Sequence, residues 1–163
     1  MKRNTFFSFQ YIPDNWRVSQ VRQMGAIDGN EAVSDNDWEK VKGGGDQAIK
    51  NWITDQMNGR TCAVILVGKD TANRKWINHE ISEAWRLKKG VVAISIHNLK
   101  GSDGKQSSAG SNPLDFVTID GKKLSTLAKL YSPPSISTEC YAHIKNNLAK
   151  WVEEAIALRA KYS

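Results

Sequence analysis

Cys62-Ala63-Val64-Ile65-Leu66-Val67-Gly68 is an unbroken apolar run, rich in β-branched residues, that stops at a glycine. Such a run suits a strand covered on both faces, as in a parallel sheet, better than the alternating pattern of a half-exposed one. Val91–Ile96 (VVAISI) repeats the type. Between them, about Asn73 to Lys89, Ile77, Ile81 and Ala84 recur at helical spacing and Gly90 supplies a stop. Before the first run, Asp46 can cap a helix carrying Ala48, Ile49, Trp52, Ile53 and Met57, which Asn58-Gly59 closes. Helix, strand, helix, strand at these lengths predicts an α/β fold: a doubly wound, mainly parallel sheet with helices on both faces.

The flanking segments fit that plan. Thr5–Tyr11 (TFFSFQY) reads as a first strand ending before Pro13, and Asp14 as the N-cap of a helix through Trp16, Val18 and Val21 to about Met24. From Gly25 to Asp37 the chain is rich in Gly, Asn and Asp, which predicts a brief second strand at Ala26-Ile27 and then a long loop. Lys100–Asn112 is Gly/Ser-rich and predicts a mobile surface loop. Asn112-Pro113-Leu114-Asp115-Phe116 reads as a turn re-entering the core, Leu124–Tyr131 as the last strand, and about 137–161 as a final helix with Tyr141, Ile144, Leu148, Trp151, Val152 and Ala155 on one face. The 163 residues suffice for one core, so a single domain over 1–163 is expected.

Composition narrows the function. With 40% hydrophobic and 25% charged residues the chain is neither disordered nor fibrous. No run reaches the ~20 apolar residues of a membrane span, and the apolar stretch after Lys2-Arg3 is too short for a signal peptide, so a cytoplasmic protein with no membrane partner is expected. Cys62 and Cys140 form neither a disulfide framework nor a zinc spacing. The net charge of +6 favours an anionic partner, but the cations are dispersed rather than blocked, which argues against nucleic acid.

In a sheet of this kind ligands gather at the carboxyl ends of the strands, here after Tyr11, Ile27, Gly68 and Ile96. Just after the Cys62–Gly68 strand, Trp76 and Glu80 stand four apart and share a helix face. An aromatic plate beside a carboxylate can hold a flat heterocycle next to a sugar diol; equally, Trp76 can pack and Glu80 can pair with Arg74 or Lys88. Lys42-Gly43-Gly44-Gly45 reads as a phosphate cradle or, better, as a plain helix-entry loop; His79, beside Glu80, reads as an acid/base group or, better, as an exposed helical histidine, and His97, after a strand end, as a residue near the site or a structural one. Asn30, Asp35 and Trp38 stand in the 25–37 region and its edge, as pocket lining or as solvated loop. No carboxylate/His set suggests a metal.

Phe6-Phe7-Ser8-Phe9 with Asp14 soon after, Asp46–Ile53, Cys62–Gly68 and Thr71–Ile81 with its tryptophan and glutamate four apart resemble, in this order, the segments of TIR-type domains. The likeness is greatest to the TIR-like proteins of the bacterial Thoeris antiphage system, the ThsB family. It spans roughly residues 5–97 and continues through His97-Asn98-Leu99 and Asn112–Phe116. Lys75 stands where animal TIR domains commonly carry a cysteine, and 25–37 lacks their proline-bearing loop, which argues against adaptor signalling. The resemblance implies a flavodoxin-like TIR fold and cleavage of NAD⁺ at the nicotinamide–ribose bond, with NAD⁺ a substrate and no other cofactor. Glu80 corresponds to the family's catalytic glutamate and Trp76 to its stacking aromatic; Ser8, Phe9, Gln10 and Tyr11 lie where TIR enzymes touch substrate, with Asn30 and Asp35 as further candidates. It further implies a cyclic ADP-ribose signal, self-association on activation and a downstream effector that senses the product. The rival readings are a catalytically silent TIR-like scaffold acting through protein contacts and, behind it, a nucleic-acid-binding module.

Overall fold

The computed structural model describes residues 2–30 and 35–162, without the side chains of Pro13 and of 35–38. Four strands form one parallel sheet in the order β1 (Thr5–Ser8), β2 (Cys62–Val67), β3 (Gly90–Ser95), β6 (Leu130–Tyr131). Every residue of β1, β2 and β3 is buried, as continuous apolar runs demand. The register runs Thr5↔Cys62 to Ser8↔Ile65 and Cys62↔Gly90 to Val67↔Ser95, so these three strands start nearly level; the short β6 joins at Ala93↔Leu130.

Alternate side chains feed two cores. Phe7, Val64, Leu66, Val92 and Ile94 meet Val18 and Val21 of α1 (Tyr11–Gln23) and Ile144, Leu148 and Val152 of α5 (Ser137–Ala160). Phe6, Ala63, Ile65, Val67 and Val91 meet Ile49, Ile53 and Met57 of α3 (Gly45–Met57) and Ile77, Ile81 and Ala84 of α4 (Lys75–Arg86). Helices therefore cover both faces, as the α/β reading requires. No helix of the described residues is long and apolar enough to cross a membrane.

Several local expectations need correction. The second strand is only an isolated parallel bridge, Asn4↔Asp28, with Thr5 N–H donating to the Asp28 carbonyl and Asp28 N–H to that of Arg3. Counting the bridge, the order across the sheet is the 2-1-3-4-5 of flavodoxin-like folds. Only the far end of the expected 25–37 loop, from Asp35, gives way to a helix, α2 (Asp35–Gly43); residues 31–34 lie outside the description. Neither Asp14 nor Asp46 is a cap: α1 is preceded by Gln10 and carries Asp14 inside its first turn, and α3 is preceded by Gly44. Of Leu124–Tyr131 only the last two residues are strand; Leu124–Thr126 is a 3₁₀ turn. A small hairpin, β4 (Thr118–Ile119) and β5 (Lys122–Lys123), turns on Asp120-Gly121, both at positive φ as a type I′ turn requires. Asn112–Phe116 does re-enter the core: the Asn112 side chain accepts from Leu114 N–H, and Pro113 and Leu114 are buried. The 100–112 stretch is exposed from Ser102 to Gln106, and Ser107 N–H donates to the His97 carbonyl.

Candidate active site

The chain leaves β1 for α1 on one face of the sheet and leaves β2 for α4 on the other. Doubly wound sheets bind ligands at such a switch point, beyond the carboxyl ends of the two strands, and that region is the candidate crevice. Ser8, the last residue of β1, is fully buried, and its hydroxyl donates to Glu80 Oε1 at 2.8 Å. Thr71 prepares the other side: its Oγ1 accepts the Gly68 N–H at 2.8 Å and shapes the turn out of β2. Asn73 at φ 59° and the Arg74 Nε bond to the Asp70 carbonyl then aim the chain into α4. With Ile77 and Ile81 fixed in the core, helical geometry leaves Glu80 on the adjacent face, reaching β1.

This placement changes the carboxyl group. Burial lifts the Glu80 pKa to about 8, and the Ser8 hydroxyl opposes that rise without cancelling it. The partner that the structure gives Glu80 is Ser8, not Arg74 or Lys88. At neutral pH the free chain therefore holds mainly a carboxylic acid here, with little cost in buried charge and a strong tendency to ionise beside a cation.

Trp76, one turn earlier, is half-buried and packs on the α3/α4 core. Lys75 Nζ lies 4.8 Å from its ring centre and is held by Asp46, while the His79 ring meets it edge-on at 5.8 Å. His79 is half-buried rather than solvated, and burial lowers its pKa. The indole is thus fixed on two sides, as a stacking platform must be.

The other candidates fall unevenly. Phe9 is half-buried against the α1/α5 core, with its ring 6.4 Å from that of Tyr11, which is 45% exposed. Gln10 is half-buried, and its carbonyl accepts the Asp14 N–H. These three lead from the end of β1 into α1 and make up the candidate rim. Asn30 is buried with Oδ1 bonded to Phe7 N–H at 2.7 Å, so its amide serves the free edge of β1. Asp35 begins α2; its side chain, like that of Trp38, lies outside the description. The Lys42–Gly45 stretch is the junction of α2 and α3.

Two charged residues near these strand ends are not among the sequence candidates: Arg17 is not singled out, and Asp14 reads as a cap. Asp14 is fully buried and presses on Gly68, where a Cβ would fall 2.1 Å from Oδ2. Burial raises its pKa, against the pull of Arg17, whose Nη1 lies 3.6 Å from Oδ1. The sequence signal that could have paired them is their i,i+3 spacing. Two cavities lie elsewhere: a polar groove of about 610 Å³ between α3 and α4, lined by Lys50, Thr54, His79 and Glu83 among others, and a notch of about 270 Å³ beside Tyr131 and Trp151. Ser8 and Glu80 line neither. No group of three or more metal-ligating side chains occurs among the described residues.

Two comparisons bear on this arrangement. Residues 6–101 match the family described as "Thoeris protein ThsB, TIR-like domain". A Bacillus cereus (strain MSX-D12) protein named "Putative cyclic ADP-D-ribose synthase ThsB1" is 30% identical over 133 residues, covering 76% of this chain and 69% of that one. The matched family segment contains both Ser8 and Glu80.

Proposed function

This chain belongs to the TIR-like domain family of the Thoeris ThsB proteins, and from that membership we propose that it consumes NAD⁺, breaking the nicotinamide–ribose bond and making a cyclic ADP-ribose signal in antiphage defence. The observation that carries the reading is the contact between Ser8 and Glu80 at the switch-point crevice, with a carboxyl group poised near neutrality. The name of the Bacillus cereus relative supports the product class.

The chemistry needs one carboxylate. Nicotinamide departs from a pyridinium, taking the electron pair of the broken C1′–N bond and leaving neutral, so no acid has to protonate it. Positive charge grows on the ribose instead. As the pyridinium approaches, its charge favours ionisation of Glu80. The carboxylate then accepts from ribose hydroxyls and stabilises the oxocarbenium-like transition state more than the ground state. Trp76 offers a face for the flat ring, and Phe9, Gln10 and Tyr11 a rim for the rest of the dinucleotide. A nucleophilic atom of the ADP-ribose itself then bonds to C1′ and sheds its proton, closing the ring; water in its place gives linear ADP-ribose. Self-association and an effector that senses the product complete the proposal, with the protein acting in the cytoplasm.

The test is incubation with NAD⁺, reading nicotinamide and ADP-ribose isomers by chromatography and mass spectrometry, with protein from uninfected and infected cells. Glu80→Gln should lose on the order of 10²–10³-fold in nicotinamide release. Equal release by wild type and variant removes Glu80 from the reaction, and no release from either preparation favours the silent scaffold.

A further inference from the structure

One buried guanidinium joins the segments that leave three adjacent strands. Arg17, in α1, is 5% exposed. Its Nε donates to the Leu99 carbonyl at 2.9 Å and its Nη2 to the Lys105 carbonyl at 3.0 Å, so both ends of the first bend after β3 hang on one side chain. Gly101 is pressed between them: a Cβ there would sit 3.1 Å from Nη2. Gln20, one turn on, donates to the Lys100 carbonyl at 2.6 Å. The third guanidinium nitrogen faces Asp14, which in turn abuts Gly68 at the end of β2. Further along the same loop, a Cβ on Gly110 would lie 2.2 Å from the Gly68 carbonyl oxygen. The backbone of Asp14 reaches the rim as well, through its N–H bond to Gln10.

A buried ion pair is a weak device for stability, because apolar residues of similar volume often serve as well. What it supplies that they cannot is direction: a planar fork holds two carbonyls in fixed relation, and a single ammonium does not reproduce it.

We propose that Arg17 and Asp14 are a positioning pair for the candidate active site: together they lock the 99–105 loop to the first turn of α1 and the end of β2, and so set the shape of the Phe9–Tyr11 rim against which the dinucleotide lies. The role at the rim rests on the NAD⁺ reading above; the lock itself does not.

The experiment uses the full chain. Arg17→Met alone strands a buried carboxylate and is expected to unfold readily, so the informative variant is Asp14→Asn with Arg17→Met, which leaves no buried charge. Three readouts apply: hydrogen exchange at Gly101, Gly104 and Ser107 N–H, NAD⁺ affinity in the Glu80→Gln background, and KM against kcat. The double variant should melt near the wild-type temperature, yet exchange those amides about tenfold faster and show KM and NAD⁺ dissociation constant raised about tenfold, with kcat at saturation changed far less. Arg17→Lys should not restore NAD⁺ affinity or loop protection. Native loop protection in the double variant overturns the lock, and an unchanged KM with faster exchange overturns the positioning role. If wild type and Glu80→Gln bind no NAD⁺, the functional reading falls, while the exchange measurement still decides the lock.

Discussion

Glu80 is where a local environment becomes chemistry. The residue is half-buried at the strand ends, its carboxyl is partly withdrawn from water, and the Ser8 hydroxyl is the compensating partner. A group with pKa about 8 in the free chain must lose its proton before it can steady a cation, so kcat/KM for nicotinamide release should climb with pH, bend at about 8 and level off above it. In the saturated complex the pyridinium assists ionisation, and kcat should level off at lower pH. Initial rates across the neutral and alkaline range check both; a kcat/KM flat from pH 7 to about 9 contradicts them. Ser8→Ala removes the one bond that restrains the rise and should push the kcat/KM break still higher. The residue types of this site were legible from sequence, whereas the Ser8–Glu80 contact was not. Those residues are 72 positions apart, and only the parallel pairing of β1 with β2 brings them together. Asp14 shows the opposite failure: an acidic residue near a helix start reads as a cap, but this one is turned inward by Arg17 and the end of β2.

At the scale of elements, legibility followed burial. The strands at Cys62–Val67 and Gly90–Ser95, and the helices whose apolar stripe faces them, declare themselves because both layers of core select their side chains. α2 declares nothing: Asp35–Gly43 is charged and glycine-bounded, a composition shared with loops. The bridge at Asp28 is too short to impose a period of two, and the edge strand β6 is held at only two residues. Where elements meet closely, the contact makes a sharp prediction. Gly90 starts β3 beneath α5, and a Cβ there would lie 2.8 Å from Ile156 N and 2.9 Å from the Ala155 carbonyl carbon, both backbone atoms. No rotamer change relieves that, so Gly90→Ala should push the final helix off the sheet and cost about 1–3 kcal/mol, seen as a lower midpoint in urea. Leu148→Ala, on the same helix and fully buried, should cost about 2–5 kcal/mol by leaving a cavity instead. A Gly90→Ala chain as stable as wild type would mean that α5 is not seated as described.

For the whole molecule, the site leaves a signature in the pH dependence of folding. Glu80 binds its proton more tightly folded than unfolded, so between its ordinary pKa near 4.5 and about 8 the folded chain carries the extra proton and stability falls as pH rises. His79 and His97 act in the other direction: burial is the first cause lowering both, so below about pH 6.5 the unfolded chain takes up protons the folded one refuses, and stability falls as pH falls. These histidines lose their last protons between pH 6.5 and about 7.5 in both proteins alike, so in a comparison with Glu80→Gln the carboxyl is the difference that remains. Wild type should therefore lose stability from pH 6.5 to about 8.5, while Glu80→Gln, whose amide oxygen can still accept the Ser8 proton, should not. The gap between them should widen by on the order of 2 kcal/mol, or several degrees in Tm for a chain of this length. Below pH 6.5 the histidines weaken both proteins as they charge, but in wild type the Glu80 proton offsets part of that loss, so the gap narrows further down to about 4.5. Thermal melts of the two proteins at four or five pH values decide it: a gap that stays constant across the range would place the Glu80 carboxyl in water, and with it would go the desolvated crevice on which the proposed glycosidic cleavage depends.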